Sequence, residues 1–221
     1  MQKKYQFAVI ATDVVIFTMT KNGLEVLLIQ MKKAPYQGFW AVPGGLVGGQ
    51  ESVDAAAERI LKEKTGVAPE HLEQLYTFGK VNRDPFGRVV SVAYFSIMPS
   101  NKIKLHTTAE YNQVAWYNIN KLPSLAYDHK EIIQTALNRL KAKLGYTNIV
   151  YTLLPGEFTL SQLQSVYENI LGKKMDKRNF RKKILSLGLI KKTGKKRTGQ
   201  ASRPAVLYHF SHKNLKRVEM L

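Results

Sequence analysis

The sequence predicts an α/β chain in two parts: an α/β/α sandwich over residues 1–147 and a winged helix-turn-helix over residues 148–221. Three observations predict it. Runs rich in β-branched and aromatic residues fill much of the first part and surround a glycine-rich loop with one helix behind it. The second part reads as two short amphipathic helices followed by a basic hairpin. Charge is also divided unevenly. Residues 148–221 hold 16 Lys/Arg against 4 Asp/Glu, whereas the first 147 hold 18 against 12.

The formal charge of +18 therefore concentrates where the small domain is expected, and it points to a polyanionic partner, nucleic acid first. At 44% hydrophobic content the 221-residue chain can bury a real core. The absence of cysteine excludes disulfides and thiolate metal sites. The first fifteen residues lack the apolar core and small-residue cleavage pattern of a signal peptide. No apolar run approaches the ~18 residues of a membrane span. The expectation is a soluble, cytoplasmic protein with no membrane partner.

In chain order, Tyr5 to Thr20 reads as one or two strands, Lys21-Asn22-Gly23 as a hairpin turn and Leu24 to Met31 as the returning strand. Phe39 to Pro43 leads into the glycine-rich stretch Gly45–Val67. There Ser52 to Asp54 offers helix caps, Ala55-Ala56-Ala57 starts a helix, and Gly66 closes it. Leu72 to Gly79, Val89 to Met98 and Val114 to Ile119 are three further strands. Between the first two lies the turn Asn82–Arg88, whose Arg83 and Arg88 can clamp an anionic ligand; the other reading is a plain turn ion pair with Asp84. Phe86, Tyr36 and Phe39 are candidates to stack on a base or to pack, and Trp40 and Trp116 belong to the core. A helix from Asp128 to about Leu144 follows, with Ile132, Ile133, Ala136, Leu137 and Leu140 on its apolar face. His129 at its start either touches ligand or serves the helix end.

In the second part Thr159 caps a helix with Leu160, Leu163, Val166, Tyr167 and Ile170 on one face. After a tight Gly172–Met175 connection, Asp176 opens a second helix with Phe180, Ile184, Leu185 and Leu187 facing inward. Its exposed face carries Lys177, Arg178, Arg181 and Lys182, with Asn179 a possible adenine reader, which is the donor-rich surface that a major groove accepts. A basic loop from Lys191 to Arg203 and a strand from Ala205 to Phe210 form the wing. There Lys195, Lys196, Arg197 and Arg203 can lie along phosphates. No aromatic platform accompanies the charge, so duplex DNA is favoured over RNA.

Gly45, Glu51, Arg59, Glu63 and Gly66 carry a specific spacing: five residues lie between Gly45 and Glu51, and seven between Glu51 and Arg59. With Trp40-Ala41-Val42-Pro43-Gly44 before them, they resemble the Nudix box, a loop–helix–loop that in active members holds Mg²⁺ against a diphosphate. The resemblance implies the Nudix α/β/α sandwich. It also implies three helix carboxylates after the arginine, on one face. Here that face reads Ile60, Glu63 and Lys64, so two acids are absent and a cation stands where a cation binds. The chain is therefore expected not to be an enzyme. The alternative is a Mg-dependent pyrophosphohydrolase acting on ADP-ribose, with a weak Mg²⁺ at Glu51 and Glu63 and Glu110 as a remote partner. Arg59 is expected to pair with Glu51 or Glu63. Lys64 either meets a phosphate in place of Mg²⁺ or makes a surface ion pair with Glu63 or Glu51.

Gly79–Tyr94, Leu122–His129 and Phe158–Lys183 extend the likeness over nearly the whole chain, which resembles the Nudix-related transcriptional regulators of the NrtR type. That resemblance implies a homodimer whose grip on an operator changes when a small molecule fills the Nudix pocket. ADP-ribose is the implied effector of the main branch and a pentose such as arabinose that of a related one. The effector residues expected on this basis are Gly45, Glu51, Arg59, Glu63, Lys64, Arg83, Arg88 and His129.

Overall fold

The structure is a computed structural model that describes residues 7–69, 72–99, 105–197, 204–212 and 214–217. One sheet dominates. β1 (Val9–Thr20) and β2 (Gly23–Met31) are joined through Lys21-Asn22, with Gly23 at φ 103, a conformation glycine adopts without a Cβ penalty. The sheet order is β3-β2-β1-β6-β5, with β3 at Trp40–Ala41, β5 at Glu73–Phe78 and β6 at Val89–Ile97. β4 (Gly44–Leu46) pairs with β1 and β7 (Tyr111–Asn118) with β2. β1 and β6 run parallel over nine residue pairs, from Val9 opposite Val89 to Phe17 opposite Ile97.

The helix α1 (Val53–Thr65) lies between β4 and β5 in sequence. Its ends follow from their residues. Ser52 accepts the Ala55 N–H at 3.1 Å, and Gly66 at φ 73 returns its own N–H to the Lys62 carbonyl. Ala57 and Leu61 bury against Val14 and Ile16 of β1, Leu27 of β2, Val67 and Tyr94. Alternation along β1 puts Asp13 on the opposite face of the sheet, where it meets Ser91 of β6. That face receives the start of α2 (His129–Tyr146). The segment before α2 runs along β3: Trp40 donates its N–H to Ser124 and Ala126 donates to Trp40.

By compactness the chain divides in two. One unit runs through Thr18 and from Glu25 to Ala136; the other joins Met19–Leu24 to Leu137 and beyond. The second contains a 3-10 helix (Ile149–Leu153), α3 (Leu160–Leu171), α4 (Lys177–Ser186) and a two-stranded sheet of β8 (Ile190–Arg197) with β9 (Ala205–Phe210). Thr159 and Gln162 form the reciprocal capping box of α3, and Phe158 exchanges two backbone hydrogen bonds with Tyr208 to widen the wing.

Three expectations are corrected. The run from Lys191 is not a loop over its first seven residues but strand β8 as far as Arg197, because Lys196 and Arg197 still pair with Val206 and Ala205 past a bulge at Gly194. Leu185 does not face inward; it is 39% exposed, because Phe180 and Ile184 already fill the buried stripe of this short helix. The last strand of the large sheet begins at Tyr111 rather than Val114, a difference that matters for the cleft.

Candidate functional site

A cleft of about 380 Å³ opens between the β4 loop, the end of α1, the Arg83–Val89 turn and the start of α2. Its floor is an ion cluster. Arg83 grips Asp128 with Nε at 2.9 Å and a terminal nitrogen at 2.8 Å, and the same nitrogen reaches Asp13 Oδ2 at 3.1 Å. Ser91 adds a donor to Asp13 at 2.6 Å. The His129 Nδ1 faces the Val42 N–H at 3.1 Å, and its Nε2 lies 3.5 Å from Asp13 Oδ1. Burial alone would raise the Asp13 carboxyl, but His129, Ser91 and Arg83 together outweigh it and hold it at about 2. Gly44 is the glycine this cluster requires: a Cβ there would come within 2.0 Å of Asp13 Oδ1.

Lys64 enters from the other side of the glycine loop. Its Nζ donates to the Gly44 carbonyl at 2.5 Å and to the Tyr111 hydroxyl, and lies 4.9 Å from the Tyr111 ring centre. Ile60, one helical turn earlier, is buried, and its Cδ1 would lie 3.1 Å from a Cβ at Gly45, so a larger residue there would have to push the Ile60 side chain aside. Burial lowers the Lys64 ammonium pKa, and it pushes the Tyr111 phenol up to about 12 with help from Glu110. An aromatic wall stands nearby. Tyr127 sits at φ 51, a left-handed backbone unusual for a bulky residue, with its ring 4.4 Å from Tyr36 and 5.2 Å from His129. Phe86 lines the cleft and is 74% exposed. Arg88 lines it too, one terminal nitrogen tied to the Gly79 and Lys80 carbonyls.

Of the eight expected effector residues the cleft brings together Gly45, Lys64, Arg83, Arg88 and His129. Glu51, Arg59 and Glu63 form a separate network along α1. Arg59 takes Glu51 bidentately at 2.9 and 2.6 Å and Glu63 at 3.1 Å, while Gly48 donates to Glu51 at 2.7 Å. Those hydrogen bonds, from Arg59 first and Gly48 second, hold the Glu51 carboxyl at about 2. This donor set does not fit a divalent cation: both oxygens of Glu51 are engaged by the guanidinium, Glu63 shares it, and Ile60 and Lys64 supply none. Among the described residues no group of three or more His, Asp or Glu side chains is placed to hold a metal. The surface ion pairs expected for these two cations do not form. Arg83 pairs with Asp13 and Asp128 rather than Asp84, which instead accepts the Phe86 N–H, and Lys64 turns inward rather than pairing with Glu63 or Glu51.

The small domain offers a second site. Lys177, Arg178, Asn179, Arg181 and Lys182 are all exposed on α4, and Lys195, Lys196 and Arg197 on β8; Arg203 lies outside the described residues. Lys195 also makes an exposed ion pair with Glu157 at 2.9 Å. The turn between α3 and α4 is fixed by Glu168, which accepts the Met175 N–H at 3.0 Å, the Gln164 amide at 2.9 Å and Lys174 at 3.0 Å. These donors, Met175 first, hold its carboxyl at about 2. Asp176 caps α4 by accepting the Asn179 N–H at 2.8 Å. Sequence reasoning missed Glu168, although it is one of only four acids in the last 74 residues. Asp13, Tyr111 and Tyr127 were missed as well.

Residues 9–136 match the NUDIX domain family, and residues 150–210 match the NrtR DNA-binding winged helix domain. The ADPR responsive transcriptional repressor NtrR of Acinetobacter baylyi is 34% identical over 211 residues, covering 94% of this chain and 84% of that protein. The crystal structure of Shewanella oneidensis NrtR complexed with a 27mer DNA is 36% identical with a TM-score of 0.75, covering 91% of this chain and 93% of that one. The NUDIX domain of the same Shewanella oneidensis protein, complexed with ADP ribose, is 34% identical with a TM-score of 0.57, covering 63% of this chain and 93% of that one. With a Nudix domain and an NrtR winged helix joined in one chain, and these identities along most of its length, the chain belongs to the NrtR family of Nudix-related transcriptional regulators.

Proposed function

We propose that the chain is a cytoplasmic transcriptional repressor that binds operator DNA through its winged helix and ADP-ribose through its Nudix cleft, and that it does not turn ADP-ribose over. The observation that carries this reading is the pairing, in one chain, of an exposed α4 that carries five basic residues and no acid with a cleft whose helix offers Ile60 and Lys64 where hydrolysis needs acids. Relatives supply the ligands: a repressor named for its response to ADPR, and structures of one protein with DNA and with ADP ribose.

In this reading Lys177, Arg178, Arg181 and Lys182 meet phosphates and base edges, Asn179 reads a base, and Lys195, Lys196, Arg197 and Arg203 follow the backbone. Gly45, Lys64, Arg83, Arg88 and His129 form the effector site, with Asp13, Tyr111 and Tyr127 added. Glu51, Arg59 and Glu63 shape the loop beside it. The functional boundary falls near Thr147, and the active species is a homodimer that spans two half-sites about one helical turn apart. Effector and operator are coupled only if ADP-ribose prefers one of two states of the dimer.

The test is capture of genomic fragments on purified protein, followed by anisotropy titrations of the captured duplex. Expected are a bound fragment with two spaced half-sites, an affinity that falls steeply with salt, and a shift in affinity on adding ADP-ribose. Failure to bind any fragment at low ionic strength, together with brisk cleavage of ADP-ribose, would end this reading. A free pentose, the effector implied for a related branch, belongs in the same titration as the second candidate effector.

A further inference from the structure

Lys64 is a half-buried ammonium without a carboxylate at its side. Two of its three protons are placed, on the Gly44 carbonyl and the Tyr111 hydroxyl, and no acid lies within ion-pair distance of it among the described residues. Asp13 does not fill that role, since Arg83, Ser91 and His129 already surround its oxygens. Partial removal of a cation from bulk water is unfavourable, and burial lowers its pKa although the more distant Glu110, Asp13 and Glu63 oppose the shift. A group kept under that penalty, in a cleft, with a third proton to give, suits an anion that arrives from outside.

The loop geometry points the same way. The Gly44–Gly45 backbone is drawn against the lysine, so that a Cβ on Gly45 would lie 3.5 Å from Nζ. Both hydrogen-bond partners fix the ammonium at the cleft wall rather than letting it swing into solvent. Arg88, which also lines the cleft, adds a second cation with most of its guanidinium uncommitted.

We propose that Lys64 is a built-in replacement for the divalent cation of the Nudix site, so that the cleft binds the diphosphate of its effector directly and without Mg²⁺. The proposal rests on the ADP-ribose reading above and deepens it, since it names the group recognised and the charge that recognises it. A fixed single charge neutralises the diphosphate for binding but supplies neither an activated water nor a polarising dication, so recognition is separated from hydrolysis.

The experiment is calorimetric titration of the full-length chain with ADP-ribose in EDTA and again in excess MgCl₂, for the unaltered protein and for Lys64→Met, Lys64→Arg and Lys64→Glu. The expected affinity of the unaltered protein is the same within about twofold in the two buffers. Lys64→Met, which keeps the aliphatic stem, should lose about tenfold or more in affinity for ADP-ribose, an amount that corresponds to about 1.4 kcal/mol. It should lose nothing for free ribose, and its thermal midpoint should hold or rise because a half-buried charge with no ion-pair partner is gone. Lys64→Arg should retain most of the affinity, and Lys64→Glu should bind only with Mg²⁺ present. Binding by the unaltered protein that requires Mg²⁺, or a folded Lys64→Met that binds as tightly as the parent, would overturn the proposal and leave ADP-ribose as effector. No binding in either buffer would remove the effector reading and this proposal with it.

Discussion

Two arginines in the Nudix domain do the same thing in different surroundings. Each is bidentate to one carboxylate and reaches a second with a single bond: Arg59 to Glu51 and Glu63, Arg83 to Asp128 and Asp13. The Arg59 side chain is 39% exposed and its partners lie within one loop and helix, whereas the Arg83 side chain is 4% exposed and draws its partners from a distant strand and a distant helix start. An exposed clamp exchanges water for ions at little gain, while a buried one becomes indispensable once formed, because deleting one member strands the others. The first therefore shapes a local loop. The second ties three parts of the chain together beneath the cleft.

The largest expected effect follows from that difference. Arg83→Ala leaves Asp13 and Asp128 buried without their cation and should cost about 3–5 kcal/mol in urea unfolding at neutral pH. A cost no greater than that of Arg59→Ala would mean that burial does not separate the two clamps.

Acid offers the next distinction. Asp13 is held at about 2 instead of 3.8, and Glu51 at about 2 instead of 4.5. A carboxyl depressed on folding contributes stability that is complete above its unfolded value and lost as pH falls through its folded value. The Asp13 share should therefore disappear between about pH 3.8 and 2, and the Glu51 share between about 4.5 and 2. Salt then tells them apart. In carboxyl-carbon NMR titrations with molar NaCl, Glu51 should move back toward 4.5 while Asp13 stays near 2. Equal salt shifts would break the contrast.

Arg59→Ala should lower the thermal midpoint far less than Arg83→Ala and should instead speed amide exchange at Gly48, whose N–H rests on Glu51. Glu63→Gln should be the smallest change, within the error of a melting curve, since Glu63 is 55% exposed and contributes one i,i+4 contact.

The same pair of clamps explains what the sequence could tell. Glu51, Arg59 and Glu63 are near neighbours on a helix and its leading loop, so spacing alone was enough to pair them. Ser52 and Gly66, Thr159 and Asp176 were legible on the same terms, as each acts on residues within four of itself. Asp13 was not legible. It sits in the run TDVVIF, where it interrupts a strand pattern without a nearby cation, and its partner Arg83 is 70 residues away. Lys64 was recognised as displaced chemistry, but its direction depended on Tyr111, 47 residues on, at the front of a strand that propensity began at Val114. Within the wing, pairing with β9 extended a strand through lysines whose own preference is for loop, a case of tertiary contact overriding composition.

Tyr127 carries a final consequence. A left-handed backbone at a bulky side chain is worth about 1–3 kcal/mol of strain, and glycine at that position would be relieved of it. Laboratory selection for heat resistance alone should therefore favour Tyr127→Gly, and the survivors would be sturdier proteins with a gap in the wall facing Tyr36 and His129. Robustness and sensing pull against each other at this one residue.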